Sequence, residues 1–134
     1  MTNDQRRKII VADDEKIMRR FVGVVIEQKF PEFEVEFFED GSSLESRLNQ
    51  GVENIRLVIT DNTMPGVQGS ELIRRYATRE EFKRIPFILY YGGDESIGEQ
   101  AIRNGAFRYL LKPSPLTEFS EAVGQALRLS DYQI

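Results

Sequence analysis

A chain of 134 residues, 40% hydrophobic and 30% charged, has the size and composition of one globular domain rather than a disordered segment. Its formal net charge of −4 argues against a nucleic-acid surface. With no cysteine and no histidine, disulfides, thiolate nucleophiles, the commonest general base and the commonest transition-metal ligand are all excluded.

The N-terminus carries no apolar signal region, and no apolar run approaches the roughly 18 residues that span a bilayer. The expectation is a soluble, cytoplasmic domain over residues 1–134, with no membrane and no direct nucleic-acid partner. The short basic run Arg6–Arg7–Lys8 reads as a solvated edge beside the first strand.

Ile9–Ile10–Val11–Ala12 is a continuous apolar run, the pattern of a strand buried on both faces. From Glu15 to about Lys29, Ile17, Met18, Phe21, Val22 and Val25 recur at helical spacing. Phe33, Val35 and Phe37 alternate with Glu34 and Glu36, which predicts a second strand with one wetter face. Asp40–Gly41–Ser42 is a turn and cap before a short helix carrying Leu44 and Leu48.

Leu57–Val58–Ile59 is a third buried strand, ending at Asp61, and Met64–Pro65–Gly66 is a loop. Ser70 is placed to cap a helix with Leu72, Ile73, Tyr76 and Ala77 on one face. Phe87 to Tyr90 form the fourth strand, opened by Pro86 and broken by Gly92–Gly93. Asp94 is placed to cap a helix running to about Asn104–Gly105. Phe107 to Leu111 form the fifth strand, residues 112–115 a loop, and a last helix buries Leu116, Phe119, Val123 and Leu127. Five strands alternating with five helices predict an α/β fold with a parallel sheet covered on both faces.

Ligands of such sheets bind beyond the carboxyl ends of the strands. Asp13 and Asp14 close the first strand, Asp61 the third and Lys112 the fifth. If these strands are near one another, three carboxylates and one lysine share a crevice. Crowded carboxylates repel, and a divalent cation with oxygen preference resolves the conflict. The lysine then offers a point charge to a phosphoryl oxygen, and a carboxylate is the only plausible nucleophile. Such a site suits phosphoryl transfer, in which positioning and charge neutralisation carry the catalysis.

Three segments carry a resemblance: Ile9–Ile10–Val11–Ala12–Asp13–Asp14–Glu15, Val58–Ile59–Thr60–Asp61–Asn62–Thr63–Met64–Pro65–Gly66, and Gly105–Ala106–Phe107–Arg108–Tyr109–Leu110–Leu111–Lys112–Pro113. In order and spacing they resemble the receiver domain of two-component response regulators, over nearly the whole chain. The resemblance implies a flavodoxin-like (βα)5 three-layer sandwich with strand order 2-1-3-4-5. It implies that Asp61 accepts a phosphoryl group from a phosphohistidine on a sensor histidine kinase or histidine phosphotransfer protein. Mg²⁺ (or Mn²⁺) would be held by Asp14, Asp61 and the Thr63 carbonyl, with Asp13 acting through water, and Lys112 would pair with the phosphate. The implied activity is not that of an ordinary enzyme: the domain catalyses its own phosphorylation and dephosphorylation.

The Lys112–Pro113 bond corresponds to one that is usually cis in the family. Tyr109 sits where the family carries an aromatic rotamer switch. The implied readout runs through the fourth helix, fifth strand and fifth helix to an output domain or effector, or to a homodimer. Phe107, Arg103, Arg108 and Glu118 are candidate contacts there.

One position departs from the family pattern. Counting from Pro86, Tyr91 stands where the family carries the Ser or Thr whose hydroxyl moves to the phosphoryl group. A phenol cannot copy that short shift, and its bulk could fill the space into which Tyr109 would rotate. The expectation is a competent acceptor with an altered readout.

Tyr91–Gly92–Gly93–Asp94–Glu95–Ser96 also resembles the Gly-Gly-Asp-Glu-Phe signature of diguanylate cyclases, but Ser96 replaces the Phe and the stretch lies between a strand and a helix. It reads as a glycine hinge with an acidic helix cap. Two rival readings stay open. One is a pseudo-receiver that binds a protein partner constitutively, which Tyr91 favours. The other is a haloacid-dehalogenase-like phosphatase, which would need an acid where Thr63 stands.

Overall fold

The computed structural model describes residues 6–132, with side chains to residue 130; residues 1–5 and 133–134 of the expected domain span lie outside the described residues. Its strands are β1 (Lys8–Ala12), β2 (Glu34–Phe38), β3 (Ile55–Thr60), β4 (Phe87–Tyr91) and β5 (Arg108–Leu111). The helices are α1 (Lys16–Lys29), α2 (Gly41–Leu48), α3 (Gly69–Tyr76), α4 (Glu95–Arg103) and α5 (Leu116–Tyr132). A short 3₁₀ turn at Glu80–Phe82, unforeseen in the sequence, buries Phe82 between α3 and β4.

All strand pairs are parallel, and the order is β2-β1-β3-β4-β5. This is the expected flavodoxin-like sandwich. Alternate residues of the central strands feed two cores, because successive side chains point to opposite faces. Ile9, Val11, Leu57, Ile59, Ile88 and Tyr90 meet Val22, Val25 and Ile26 of α1 and Phe119, Val123 and Leu127 of α5. Ile10, Val58, Phe87, Leu89 and Tyr91 meet Leu44 and Leu48 of α2, Leu72, Ile73 and Tyr76 of α3 and Ala101 of α4. Each such fully buried aliphatic side chain stabilises the fold by about 1.5–3 kcal/mol.

The departures from the sequence reading lie at edges and caps. Ile17 and Leu116 continue the apolar helical spacing, yet they are 74% and 49% exposed, because each sits in the first turn, beyond the edge of the sheet that would cover it. Phe37 is 45% exposed on β2, an edge strand in which no residue is fully buried. Glu36 of β2 is instead held by Lys8 at 3.0 Å and Arg47 at 2.7 Å. Ser70 is not the cap of α3: Gln68 occupies that position, and the Ser70 amide donates to Asn62 Oδ1 at 2.9 Å. The other two caps are as expected, with Asp40 accepting from the Ser43 amide and Asp94 from the Ser96 amide.

Candidate functional site: an acidic crevice at the strand ends

The register of β1 against β3 decides where the acids fall. The Asp61 amide donates to the Ala12 carbonyl at 2.8 Å, and the Asp13 amide to the Phe38 carbonyl at 3.0 Å. The ladder therefore runs one residue past each strand and sets Asp13 beside Asp61. Both carboxylates are buried, at 4% and 8% exposure.

Each carboxylate has one oxygen fixed by a local amide. Asp13 Oδ1 accepts from the Glu15 N–H at 2.9 Å, and Asp61 Oδ1 from the Asn62 N–H at 2.7 Å. Their other oxygens converge on Lys112. Its ammonium donates to Asp13 Oδ2 at 2.7 Å and lies 3.2 Å from Asp61 Oδ2. Glu15 Oε1 is a third neighbour at 3.4 Å. Lys112 is positioned in turn by its amide, which donates to the Tyr91 carbonyl at 2.7 Å. The following Lys112–Pro113 peptide is cis, as expected.

Two loops brace the crevice. Arg19 donates to the Asp13 carbonyl at 2.7 Å and closes the β1–α1 turn. After β3, Asn62 receives the amides of both Gly69 and Ser70, folding residues 62–68 back onto the start of α3. That return requires glycine at position 69, where a Cβ would lie 2.0 Å from the Asp61 carbonyl oxygen. Met64 buries its side chain in the core and anchors the loop, while the Thr63 side chain is exposed.

Burial, opposed by Lys112 and aided by the neighbouring Asp13, pushes the Asp61 carboxyl above the usual aspartate range. Burial works against the charge of Lys112, but its hydrogen bond to Asp13 and the charges of Asp13 and Asp61 outweigh it and raise its pKa. One lysine faces three carboxylates, so the crevice keeps an excess of negative charge. Carboxylate oxygens of Asp13, Glu15 and Asp61 all lie within 4.8 Å of one another. An all-oxygen set that a single ammonium leaves under-neutralised fits a hard divalent cation.

The structure thus unites Asp13, Asp61 and Lys112. Asp14 is exposed and its carboxylate stands outside this cluster. From sequence Glu15 reads only as a helix start, and Asn62 only as part of the stretch around Asp61, with no role of its own. Glu15 had a signal, being the third acid in a tight turn whose Asp13 bonds its amide. Asn62 had none, because its part is to close a loop defined only by tertiary contacts.

Tyr91 and Tyr109 lie to one side of the crevice. Tyr91 is 1% exposed, and its ring packs beside Tyr109 with centroids 6.4 Å apart. Its hydroxyl turns toward α4, donating to the Asp94 carbonyl and accepting from the Gly98 amide. The Gly92–Gly93 stretch is a strand-to-helix loop, as the hinge reading requires. Of the candidate partner contacts, Phe107 packs half-buried against the α1–α5 core and Arg108 bonds Gln125 at 3.1 Å.

Comparison with known proteins agrees with this geometry. The family model "Response regulator receiver domain" matches residues 9–124. The phosphate regulon transcriptional regulatory protein PhoB of Rhizobium meliloti is 34% identical over 122 residues, covering 90% of this chain and 52% of PhoB. The CAI-1 autoinducer sensor kinase/phosphatase CqsS of Vibrio cholerae is 35% identical over 111 residues, covering 81% of this chain and 16% of CqsS. The chain spans about half the length or less of these curated relatives.

A response regulator receiver domain from Clostridium thermocellum superposes with a TM-score of 0.82 at 24% identity, over 96% of this chain and 99% of that one. The signal receiver domain of an HD domain-containing protein from Pseudomonas fluorescens gives 0.82 at 23%, over 99% and 95%. No helix among the described residues is long and apolar enough to cross a membrane. Receiver domains work with histidine kinases and output domains. With its match from Ile9 to Gly124, this chain belongs to the response regulator receiver domain family of two-component systems.

Proposed function

We propose that this domain takes a phosphoryl group on Asp61 from a phosphohistidine, in a reaction dependent on Mg²⁺ or Mn²⁺, and later returns it to water. The observation that supports the reading is the convergence of Asp13, Asp61 and Lys112 at the ends of β1, β3 and β5. Asp13, Asp61 and Glu15 are the clustered carboxylates that would hold the cation, and the resemblance to the family adds Asp14 and the Thr63 carbonyl. The bound cation supplies charge neutralisation for the phosphoryl oxygens.

The chain's own groups perform the rest. Asp61 is held by the Asn62 amide through one oxygen, which fixes the carboxylate plane for in-line attack. A bond from an Asp61 oxygen to phosphorus forms as the phosphorus–nitrogen bond of the donor breaks. The donor imidazole leaves with that electron pair. Lys112 already sits within hydrogen-bonding range of Asp61 and meets the charge of the transferred group. In hydrolysis, water attacks phosphorus and the carboxylate is regenerated.

The partners proposed are a sensor histidine kinase or histidine phosphotransfer protein, and an output domain or effector reading the α4–β5–α5 face, which could also pair two copies. The aspartyl phosphate replaces one carboxylate with about −1.5 to −2 charges, and that change of charge is what a partner would read. With Tyr91 in place of a small hydroxyl, that readout departs from the family's.

The test is incubation with acetyl phosphate and Mg²⁺, followed by intact-protein mass spectrometry. The native chain gains one phosphoryl group and Asp61→Asn gains none. Equal labelling of the two would refute the acceptor role. Repeated turnover of a phosphate ester would favour a phosphatase.

A further inference from the structure

In four of the five helices the first turn closes in the ordinary way. The fourth amide donates directly to the carbonyl of the capping residue: Arg19 to Glu15 at 3.1 Å, Leu44 to Asp40 at 3.2 Å, Leu72 to Gln68 at 3.1 Å and Phe119 to Pro115 at 3.0 Å. In α4 the equivalent pair is the Gly98 N–H and the Asp94 carbonyl, which also accepts from the Ile97 amide at 3.2 Å. Both are bonded to the Tyr91 hydroxyl, which accepts from Gly98 at 2.8 Å and donates to Asp94 at 2.5 Å. A side chain from the end of β4 has been threaded into the backbone ladder of the next helix.

The surroundings make this a fixed attachment. The Tyr91 ring is 1% exposed, packed in the core with Ala101 and against Ile97 and Tyr109. Burial pushes its phenol pKa up, which keeps the donating proton in place. Tyr109 lies flat against α4 at Gly98, where a Cβ would come within 2.3 Å of its ring. The Tyr91 carbonyl receives the Lys112 amide at 2.7 Å, so one residue touches the crevice lysine through its backbone and α4 through its side chain. Its hydroxyl is spent on α4.

We infer that the Tyr91 hydroxyl is a latch: it bridges the Gly98 amide and the Asp94 carbonyl in the first turn of α4, fastens that helix to the end of β4, and holds α4 with Tyr109 in one arrangement whether or not the crevice at Asp61 is occupied. The latch itself rests on the hydrogen bonds alone; its indifference to occupancy rests on the acceptor role proposed above.

The test is amide hydrogen exchange and amide NMR shifts on the native chain and Tyr91→Phe, which preserves the ring and the core. Without ligand, Tyr91→Phe is expected to raise exchange across residues 92–98 roughly tenfold, with the central strands unchanged. Unchanged exchange there would overturn the latch, since it would mean that Gly98 and Asp94 close directly.

The second arm adds beryllofluoride with Mg²⁺. In the native chain, shifts are expected near Asp13, Asn62 and Lys112 but not in α4; in Tyr91→Phe they extend into α4. Equal α4 shifts in both proteins would overturn the indifference to occupancy. If the Asn62 amide moves in neither protein, the acceptor role has failed and the claim of indifference falls with it, while the ligand-free comparison still decides the latch.

Discussion

Lys112 donates its shortest side-chain hydrogen bond to Asp13, at 2.7 Å across 99 residues of chain, and stands farther, at 3.2 Å, from the proposed acceptor Asp61. The lysine is thus anchored on a neighbour and only leans on the nucleophile. Asp13 keeps it close to Asp61 without neutralising Asp61 completely. A group arriving on Asp61 can compete for the ammonium without first breaking its main tether.

Removing Lys112 should expose this arrangement. In Lys112→Met, Asp13 and Asp61 are left buried and adjacent with no counter-charge. Complete burial would make that loss about 3–5 kcal/mol. The crevice is partly solvated, so a loss of about 1–3 kcal/mol at pH 7 is expected in urea denaturation. The same variant should bind Mg²⁺ more tightly by titration calorimetry, because no ammonium competes for the oxygens. Weaker Mg²⁺ binding would contradict the competition. In the native protein the folded-state pKa of Lys112 is raised. Its contribution is therefore fully present below the ordinary lysine value of 10.5 and lost as pH climbs through the folded value.

Asp61 carries the opposite sign. Its folded-state pKa is raised, so the folded chain binds more protons there than the unfolded chain, and stability falls as pH rises past the usual value of 3.8. Asp61→Asn removes that penalty. The variant should be more stable than the native chain at pH 7 by about 1 kcal/mol, or roughly 3–5 °C in Tm for a domain of this size. The advantage should shrink as pH falls toward 3.8 and vanish below it, where Asp61 is protonated in both the folded and the unfolded chain. A calorimetric pH series from 3.5 to 7.5, run without Mg²⁺, tests the slope. A constant difference across the series would mean that the gain is not electrostatic.

Gly98 and Tyr109 should behave as one unit. A Cβ at position 98 would meet the near end of the Tyr109 ring, not its flexible tip, so the whole side chain must leave. Gly98→Ala should cost about 1–3 kcal/mol despite the better helix propensity of alanine. In a Tyr109→Ala background the same change should be neutral or stabilising by up to about 1 kcal/mol. A double-mutant cycle by denaturant unfolding measures the coupling, and additive effects would show that the ring does not rest on the glycine.

Ile17 and Ile26 share the apolar spacing of α1 but not its burial, at 74% and 0% exposure. Ile17→Ser should change unfolding free energy by less than about 0.5 kcal/mol, whereas Ile26→Ala should cost about 2–5 kcal/mol. Similar losses at both positions would place Ile17 under cover. Thermal unfolding of the two variants distinguishes the outcomes.

The sequence alone determined the alternation of strands and helices, the two-faced sheet, and the three strand ends that deliver Asp13, Asp61 and Lys112. Those features are written in local periodicity and in the position of an acid after an apolar run, and a buried parallel strand leaves no other pattern. Tertiary structure decided the rest. Glu15, not Asp14, faces Lys112, because the turn after β1 is closed by Asp13 on the Glu15 amide. Phe37 and Ile17 are exposed because a sheet ends where its last strand does, which hydropathy does not record. The Tyr91 hydroxyl lies in the first turn of α4, not in the crevice. The sequence marks Tyr91 as too large for its place. Which way a buried phenol turns is settled by where an amide and a carbonyl that can still bond it lie within reach, and only the packed helix fixes that.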